Sequence, residues 1–287
     1  MHLFLEQLLN GMAVGSIYAL VSLGLALVYG ILRILHVAHA AVYTVGAYLG
    51  LFFFQMTQSL LVAFLGAMAC CALAGVTIER LVYFPLLKYP PYVPLIASIA
   101  ILLALEEVCR LVAGPYILTF PASLPFPAVH VLGVHVPSSV STIFATTGLI
   151  LLVLWFLTTR TETGLAMRAV SQDLAIAEAM GIDAHAVVSF TFALGSAIAA
   201  VAGILVGIYY NQVYATMGSV PAYKALALIV VGGLGSVPGA VAASLLLGIA
   251  ETLLIGYAHV PLPRDALAFI AMIAVLMWRA EGLFGSR

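Results

Sequence analysis

The sequence predicts an all-α polytopic membrane protein with about eight transmembrane helices, two of them discontinuous, and three observations predict it. Of its 287 residues, 64% are hydrophobic and only 7% are charged, whereas soluble domains carry about 25% charged residues. A soluble core of this size cannot hide so much apolar surface, so lipid must cover much of it. Apolar runs of roughly 20 residues recur, the length that crosses about 30 Å of hydrocarbon as helix. The polar–apolar alternation of membrane barrel strands is absent, which leaves helices, whose backbone bonds close internally.

The first span runs from about Leu3 to Tyr29, with Gly11, Gly15 and Ala19 recurring every four residues. Small residues at that spacing let helix backbones approach closely in lipid. No Lys or Arg precedes the apolar run in MHLFLEQLLNGM, which argues against a cleaved signal peptide. The segment GILRILHVAHA, Gly30 to Ala40, then brings Arg33, His36 and His39 into apolar surroundings, before a small-residue helix from Val42 to Phe54. It reads either as a surface loop or as a break at membrane depth lining a cavity. Two histidines without a third ligand do not make a metal site.

Further spans are expected at Leu60–Ile78, Leu95–Ala113 and Thr142–Thr158. Between the first two of these lies a short loop with Glu79, Arg80, Lys88 and several prolines. Glu106 and Arg110 stand four apart near the end of the second and are expected to pair. The Pro-rich stretch 114–140 is expected outside the membrane, with AVHVLGVHV forming a small hairpin around Gly133 that leaves His130 and His135 at its surface. Cys70, Cys71 and Cys109 show neither a disulfide framework nor a zinc pattern and read as packed thiols.

Arg160 to Ile182, RTETGLAMRAVSQDLAIAEAMGI, is the longest central run in which polar and charged residues recur. Ser171 is a plausible N-cap for a short helix from Gln172 to Met180, and Gly181 suits its stop. Beyond it, Val187–Tyr210 carries Gly195, Ala199, Gly203 and Gly207 on one face. The run Tyr223–Leu254 is too long for one span and is cut by GGLGSVPG, Gly232 to Gly239, into two helical pieces. Lys224 and Glu251 are the ionisable groups there, and the last apolar segment is Ala266–Trp278. The two broken regions resemble each other loosely, as a pseudo-repeat would. Arg80 with Lys88 and Arg160 with Arg168 fall on one side by parity, taken as cytoplasmic. Eight spans then place the N-terminus outside and leave the side of the C-terminus open.

Several chemistries are excluded by missing motifs. A formal net charge of −1 gives no case for nucleic acid. There is no phosphate-binding G-x-x-x-x-G-K-[ST] loop, no H-E-x-x-H and no Gly-x-Ser nucleophile turn. Few acidic residues are expected deep in spans, where ion-coupled carriers usually place them. Active transport by this chain would therefore draw its energy from a partner, through Arg160–Ile182.

At these residues the chain resembles a known family. LNGMAVGSIYALVSLGLALVYGIL, HVAHAAVYTVGAYL, IERLVYFPL, TETGLAMRAVSQDLAIAEAMGI and IVVGGLGSVPGAVAASLLLGIAETLL are similar to the permease subunits of branched-chain amino-acid ABC importers, the LivH type. The resemblance spans nearly the whole chain. It implies a transport subunit rather than an enzyme, in a bacterial cytoplasmic (inner) membrane, importing branched-chain or other small amino acids by alternating access. It implies a second, LivM-like permease chain, two ABC ATPase subunits that carry the ATP and Mg, and an extracytoplasmic solute-binding protein. No cofactor is expected on this chain. The resemblance also implies an ATPase-coupling helix comprising Gln172, Asp173, Ala177, Glu178, Ala179, Gly181 and Ile182. A translocation path is expected at the two breaks, along His36, His39, Tyr43, Gly232, Gly233, Gly235, Ser236 and Pro238. The family's Asn-Phe-Ala-His-Gly-Glu pattern reads here His36, Val37, Ala38, His39, Ala40, Ala41, without the acidic residue. Related permeases carry urea or short amides, which stays open as an alternative cargo. A stand-alone carrier or channel is the alternative of another class.

Overall fold

The computed structural model describes residues 2–122, 124, 126–131, 134–258, 265–279 and 282–284. The helices are α1 (His2–Leu32), α2 (His39–Thr57), α3 (Leu60–Ile78), α4 (Phe84–Leu86), α5 (Tyr92–Ala113), α6 (Ser138–Arg160), α7 (Glu162–Gln172), α8 (Leu174–Ala179), α9 (Ala184–Tyr210), α10 (Ser219–Gly232), α11 (Val237–Ala258) and α12 (Ala266–Trp278). A π-helical turn, Glu79–Tyr83, joins α3 to α4. Strands β1 (Val129–Val131) and β2 (Val134–Val136) pair antiparallel, Val129 opposite Val136. Gly133 and the His130 side chain lie outside the described residues; His135 is exposed.

Six helical segments among the described residues are long and apolar enough to cross a membrane, with shorter apolar helices at Ser219–Gly232 and Ala266–Trp278. The protein is an all-α, multi-pass membrane protein. Two spans form its centre: 89% of the apolar window of α1 and 83% of that of α9 are buried, against 22% for the α3 span and 28% for α6. The outer helices instead present Leu61, Leu65, Leu73, Leu149, Leu152 and Phe156 to their surroundings, the surface lipid covers.

Small residues set the central packing. A Cβ at Gly11 would lie 2.8 Å from the Ile249 Cα, and one at Gly15 would lie 2.9 Å from the Leu245 Cα, so α1 and α11 meet backbone to backbone. Their hydroxyl bond, Ser22 Oγ to Ser244 Oγ at 2.8 Å, is buried in the same contact. The expected small face of α9 meets α1 at Gly195, opposite Gly24, and α2 at Gly203, against the Tyr43 carbonyl.

The bundle has two distinct ends. At one, Phe4 stacks near Tyr257, and Glu6 and Asn10 line a pocket with His135 and Pro137 of the hairpin. At the other, Phe84 stacks on His185 at the start of α9, and α7 packs against α6 through Gly164. The Arg80 and Arg160 regions therefore share an end, opposite the hairpin. The segment 282–284 is at that end too, where Leu283 N–H donates to the Val231 carbonyl at 2.8 Å.

Three helices begin inside the bundle rather than at an end. α2 begins where His39 meets Gly24, eight residues or roughly 12 Å of helix short of the end of α1. α10 begins where Gly218 rests on the Ala40 carbonyl and Thr44, and α12 where Asp265 meets Lys224 at 3.0 Å.

Several expectations are corrected. The polar segment holds two helices, not one from Gln172 to Met180. Its N-caps are Thr161, which accepts from Gly164 N–H at 3.1 Å, and Asp173, which accepts from Ile176 N–H at 3.0 Å. Ser171 lies inside α7 and donates to the Arg168 carbonyl. Asp173 adopts extended backbone, so the carboxylate that caps α8 also ends α7. Arg110 pairs with Glu107 at 2.8 Å, whereas Glu106 is buried and accepts from Ser219 Oγ at 2.7 Å. Few acidic residues are buried, as expected: Glu251 lies within α11, and Glu79, at the end of α3, accepts from Ser189 Oγ at 2.7 Å.

Candidate functional site

The expected coupling residues gather in one exposed protrusion. Gln172, Asp173, Glu178, Ala179 and Gly181 are exposed, Ile182 is half-buried and Ala177 is buried as the anchor. Gly181 N–H donates to the Glu178 carbonyl at 2.9 Å and Ile182 N–H to the Ala177 carbonyl at 3.1 Å. This pair of bonds closes α8 in a Schellman motif, which needs a left-handed residue after the helix. Gly181 supplies it with φ +87°. Ile176 and Met180, 63% and 80% exposed, present apolar surface beside Glu178. Such a face, held rigidly by caps at both ends, offers a docking shape with one charge and a greasy centre.

From Ile34 on, the first break is packed between helices rather than exposed as a surface loop, and neither histidine lines a cavity described here. Arg33 ends α1 with φ +54°, its N–H donating to the Tyr29 carbonyl at 2.8 Å. Ile34 and His36 to Ala38 are buried. Non-helical backbone at this depth must find partners in protein. Ala38 N–H donates to Ser98 Oγ at 2.9 Å, and His39 N–H to the His36 carbonyl at 3.1 Å. His36 Nδ1 lies 2.7 Å from the Tyr83 hydroxyl, its ring 5.1 Å from Phe192 and 5.8 Å from His39. The His39 ring fills the hollow at Gly24, beside the Val21 backbone. Both histidines are thus wedged between helices. No group of three metal-binding side chains occurs among the described residues.

The second break is a tight reversal at the α7 end, not a discontinuity in mid-bundle. Gly233 and Gly235 have φ +104° and +82°, conformations glycine adopts freely. Ser236 Oγ accepts from Gly239 N–H at 3.2 Å and caps α11, with Pro238 in its first turn. Gly232 is buried against Gly239, and Gly233 against Gly282. Gly235, Ser236 and Pro238 instead line a cleft of about 700 Å³ shared with Gly30, Met167 and Ser171. The expected path residues therefore divide. Three of them face the cleft beside α7, Tyr43 faces a separate cavity, and His36 and His39 line neither.

That separate cavity, about 260 Å³, sits between α1, α2, α9 and α10. Its lining includes Tyr18, Tyr43, Tyr210, Gln212, Lys224 and Asp265 together with the apolar Val14, Ile17 and Val206. Lys224 Nζ donates to Tyr18 Oη at 2.7 Å and to Glu251 Oε1 at 2.9 Å, and meets Asp265 Oδ1 at 3.0 Å. Tyr18 Oη donates to Glu251 Oε2 at 2.9 Å. Lys224 is 3% exposed at its side chain and Glu251 is 0%, so the pair is buried. A charge here is tolerated only because its partners are in place. Sequence reading named Lys224 and Glu251 without joining them. The available signal was their rarity, since ionisable residues inside apolar helices are expected to pair with one another.

Comparison with known proteins places this architecture. Residues 7–276 match the family described as "Branched-chain amino acid transport system / permease component". The high-affinity branched-chain amino acid transport system permease protein BraD of Pseudomonas aeruginosa is 32% identical, over 98% of this chain and 96% of that protein. The corresponding protein LivH of Escherichia coli (strain K12) is 33% identical over the same shares. Among solved structures, PsaBC from Streptococcus pneumoniae in complex with Fab aligns with 96% of this chain and 89% of its own, at TM-score 0.44 and 14% identity. By the match along nearly its whole length, the chain belongs to the branched-chain amino acid transport permeases of the LivH type.

Proposed function

We propose that this chain is the permease subunit of an ATP-binding-cassette importer for branched-chain or other small amino acids, working by alternating access. Its relatives are named as branched-chain amino acid transport permeases, and the cargo is carried over from those names. The observation that carries the reading is the protrusion Leu174–Gly181. It is polar and apolar together, capped at both ends and exposed at one end of an otherwise lipid-covered bundle. It joins directly to α9, one of the two central spans. A push on α8 would thus be delivered to the core of the bundle through Asp183, whose side chain caps α9 by accepting from Ala186 N–H at 3.0 Å.

In this reading two ABC ATPase subunits, which hold ATP and Mg, dock on α8 from the cytoplasm. A second, LivM-like permease chain completes the pore, and a solute-binding protein delivers cargo at the hairpin end. The chain sits in a bacterial inner membrane with its α7–α8 end inward, and it hydrolyses nothing itself. The test is uptake by vesicles that contain the assembled transporter. Glu178→Arg combined with Gly181→Pro should abolish ATP-driven uptake while the chain still inserts and folds. Normal uptake by that variant would refute the coupling role, and uptake by the chain alone would favour a stand-alone carrier.

A further inference from the structure

We propose that Glu79 is a positioning residue for transport, which ties the π-helical turn to the start of α9 through Ser189 and, when His185 is protonated, through His185 as well. Glu79 opens the π-helical turn at the end of α3 and is 0% exposed. Its Oε2 accepts from Ser189 Oγ at 2.7 Å. Its Oε1 has no hydrogen bond. A buried carboxylate oxygen without a donor is costly, and such groups in native proteins call for a partner. The basic group that faces it is His185, whose Nδ1 lies 3.7 Å from Oε1 and is itself buried without a hydrogen bond. His185 and Ser189 stand four apart on one face of α9, so Glu79 reaches two successive turns of that helix.

The two partners differ in access. Glu79 is 1% exposed at its side chain and His185 is 41% exposed, so the imidazole exchanges protons with water and the carboxylate waits behind it. A neutral imidazole donates from one ring nitrogen only, whereas the protonated ring donates from both, so Nδ1–H is then assured and the charge strengthens its bond. The ring is already placed, 4.5 Å from that of Phe84 in α4. Among the described residues no other charged group pairs with either partner. Asp183 caps α9, Arg168 donates to the Thr158 carbonyl, and Lys88 and Arg160 lie over the Tyr89 and Trp155 rings. Arg33, Arg80, Glu162 and Glu178 form no ion pair with Glu79 or His185. Histidine changes charge between about pH 5 and 8. The added bond favours the protonated folded form, so its stabilisation is present at low pH and is lost as pH rises through that range. The tie sits two residues beyond Asp183, where a push from α8 enters α9. At the other end of the same π-helical turn Tyr83 Oη lies 2.7 Å from His36 Nδ1, so the turn joins the start of α9 to the first break.

The proposal deepens the transport reading and rests on it for the role of the tie, whereas the tie itself is read without transport. Thermal unfolding of the full-length chain in detergent micelles is compared at about pH 6 and about pH 8. The variants are E79Q, which keeps an acceptor for Ser189 but removes the charge, H185Q, which carries no charge, H185K, which stays charged at both pH values, and each His185 variant combined with E79Q. At the lower pH, E79Q should lower the Tm by about 2 °C or more beyond its effect in H185Q, and at the higher pH by no more than in H185Q. In H185K the excess should persist at both. Should E79Q fail to fold, the wild type should match H185K in stability at the lower pH and H185Q at the higher. In vesicles that hold the assembled transporter, with both faces at the same pH, H185Q should take up less than the wild type at the lower pH and as much at the higher. An equal effect of E79Q in every His185 background at both pH values would overturn the tie. Uptake by H185Q that tracks the wild type at both pH values would overturn its positioning role. A pH-dependent tie in a chain whose assembled transporter shows no ATP-driven uptake would sink the transport reading and leave the tie standing.

Discussion

The α7–α8 protrusion and the Lys224 cluster are both polar islands in an apolar chain, and they are polar for opposite reasons. The protrusion is exposed, and local caps within a few residues of each other set its shape: Thr161, Asp173 and Gly181. Its charges are exposed, so replacing one barely touches the fold. The Lys224–Glu251 pair is buried, and the members of its cluster come from residues 18, 224, 251 and 265, so only the complete fold assembles it. The difference teaches that a polar side chain in a membrane bundle must be judged by its partners. Exposed polarity is available to another protein, whereas buried polarity is bound up with stability.

Variants can break that contrast. K224M has the largest expected effect on stability, because it takes a buried ammonium away from Glu251, Tyr18 and Asp265 at once, a loss of about 3–5 kcal/mol. K224M with E251M should recover most of that loss, since an apolar pair of similar volume removes both charges. Thermal unfolding in detergent micelles reads both variants. If K224M alone is as stable as the wild type, the cluster is not the buried network described. In the protrusion the effects are smaller. G181A places a Cβ in the left-handed region and should cost roughly 1–2 kcal/mol, confined to α8 and visible as faster hydrogen exchange there. D173A removes the cap of α8 and should cost about 1 kcal/mol by the same readout. A global fall in unfolding temperature for either would contradict the local character given to the protrusion.

Much of the helical plan was legible because it depends on local signals. Leu60–Ile78 and Ala266–Trp278 coincide with α3 and α12, and the glycines of GGLGSVPG do end one helix and start another. Gly181 stops α8 as its residue type implies. The misses have a common cause. Arg33 takes a positive φ without being glycine, and the buried break after it is held by Ser98, sixty residues away. Asp173 and Ser171 compete as caps within three residues, and spacing alone favoured the wrong one. The Gly233–Ser236 turn looks like a membrane-depth break in sequence, but its depth follows from what it packs on, Gly30 and Gly282. Of the candidate site, the exposed half was readable from composition. The Lys224 cluster was not, because its contacts span up to 233 residues of chain.

The central claim is that α8 meets a nucleotide-hydrolysing partner on the cytoplasmic side. Cysteine cross-linking tests it most directly, in a chain whose Cys70, Cys71 and Cys109 have been replaced by serine or alanine. M180C should cross-link to an ATPase subunit in assembled vesicles, with a yield that changes when ATP is added, whereas H135C in the hairpin should not. Cross-linking of H135C to the ATPase, or labelling of M180C from the outer face, would contradict the account.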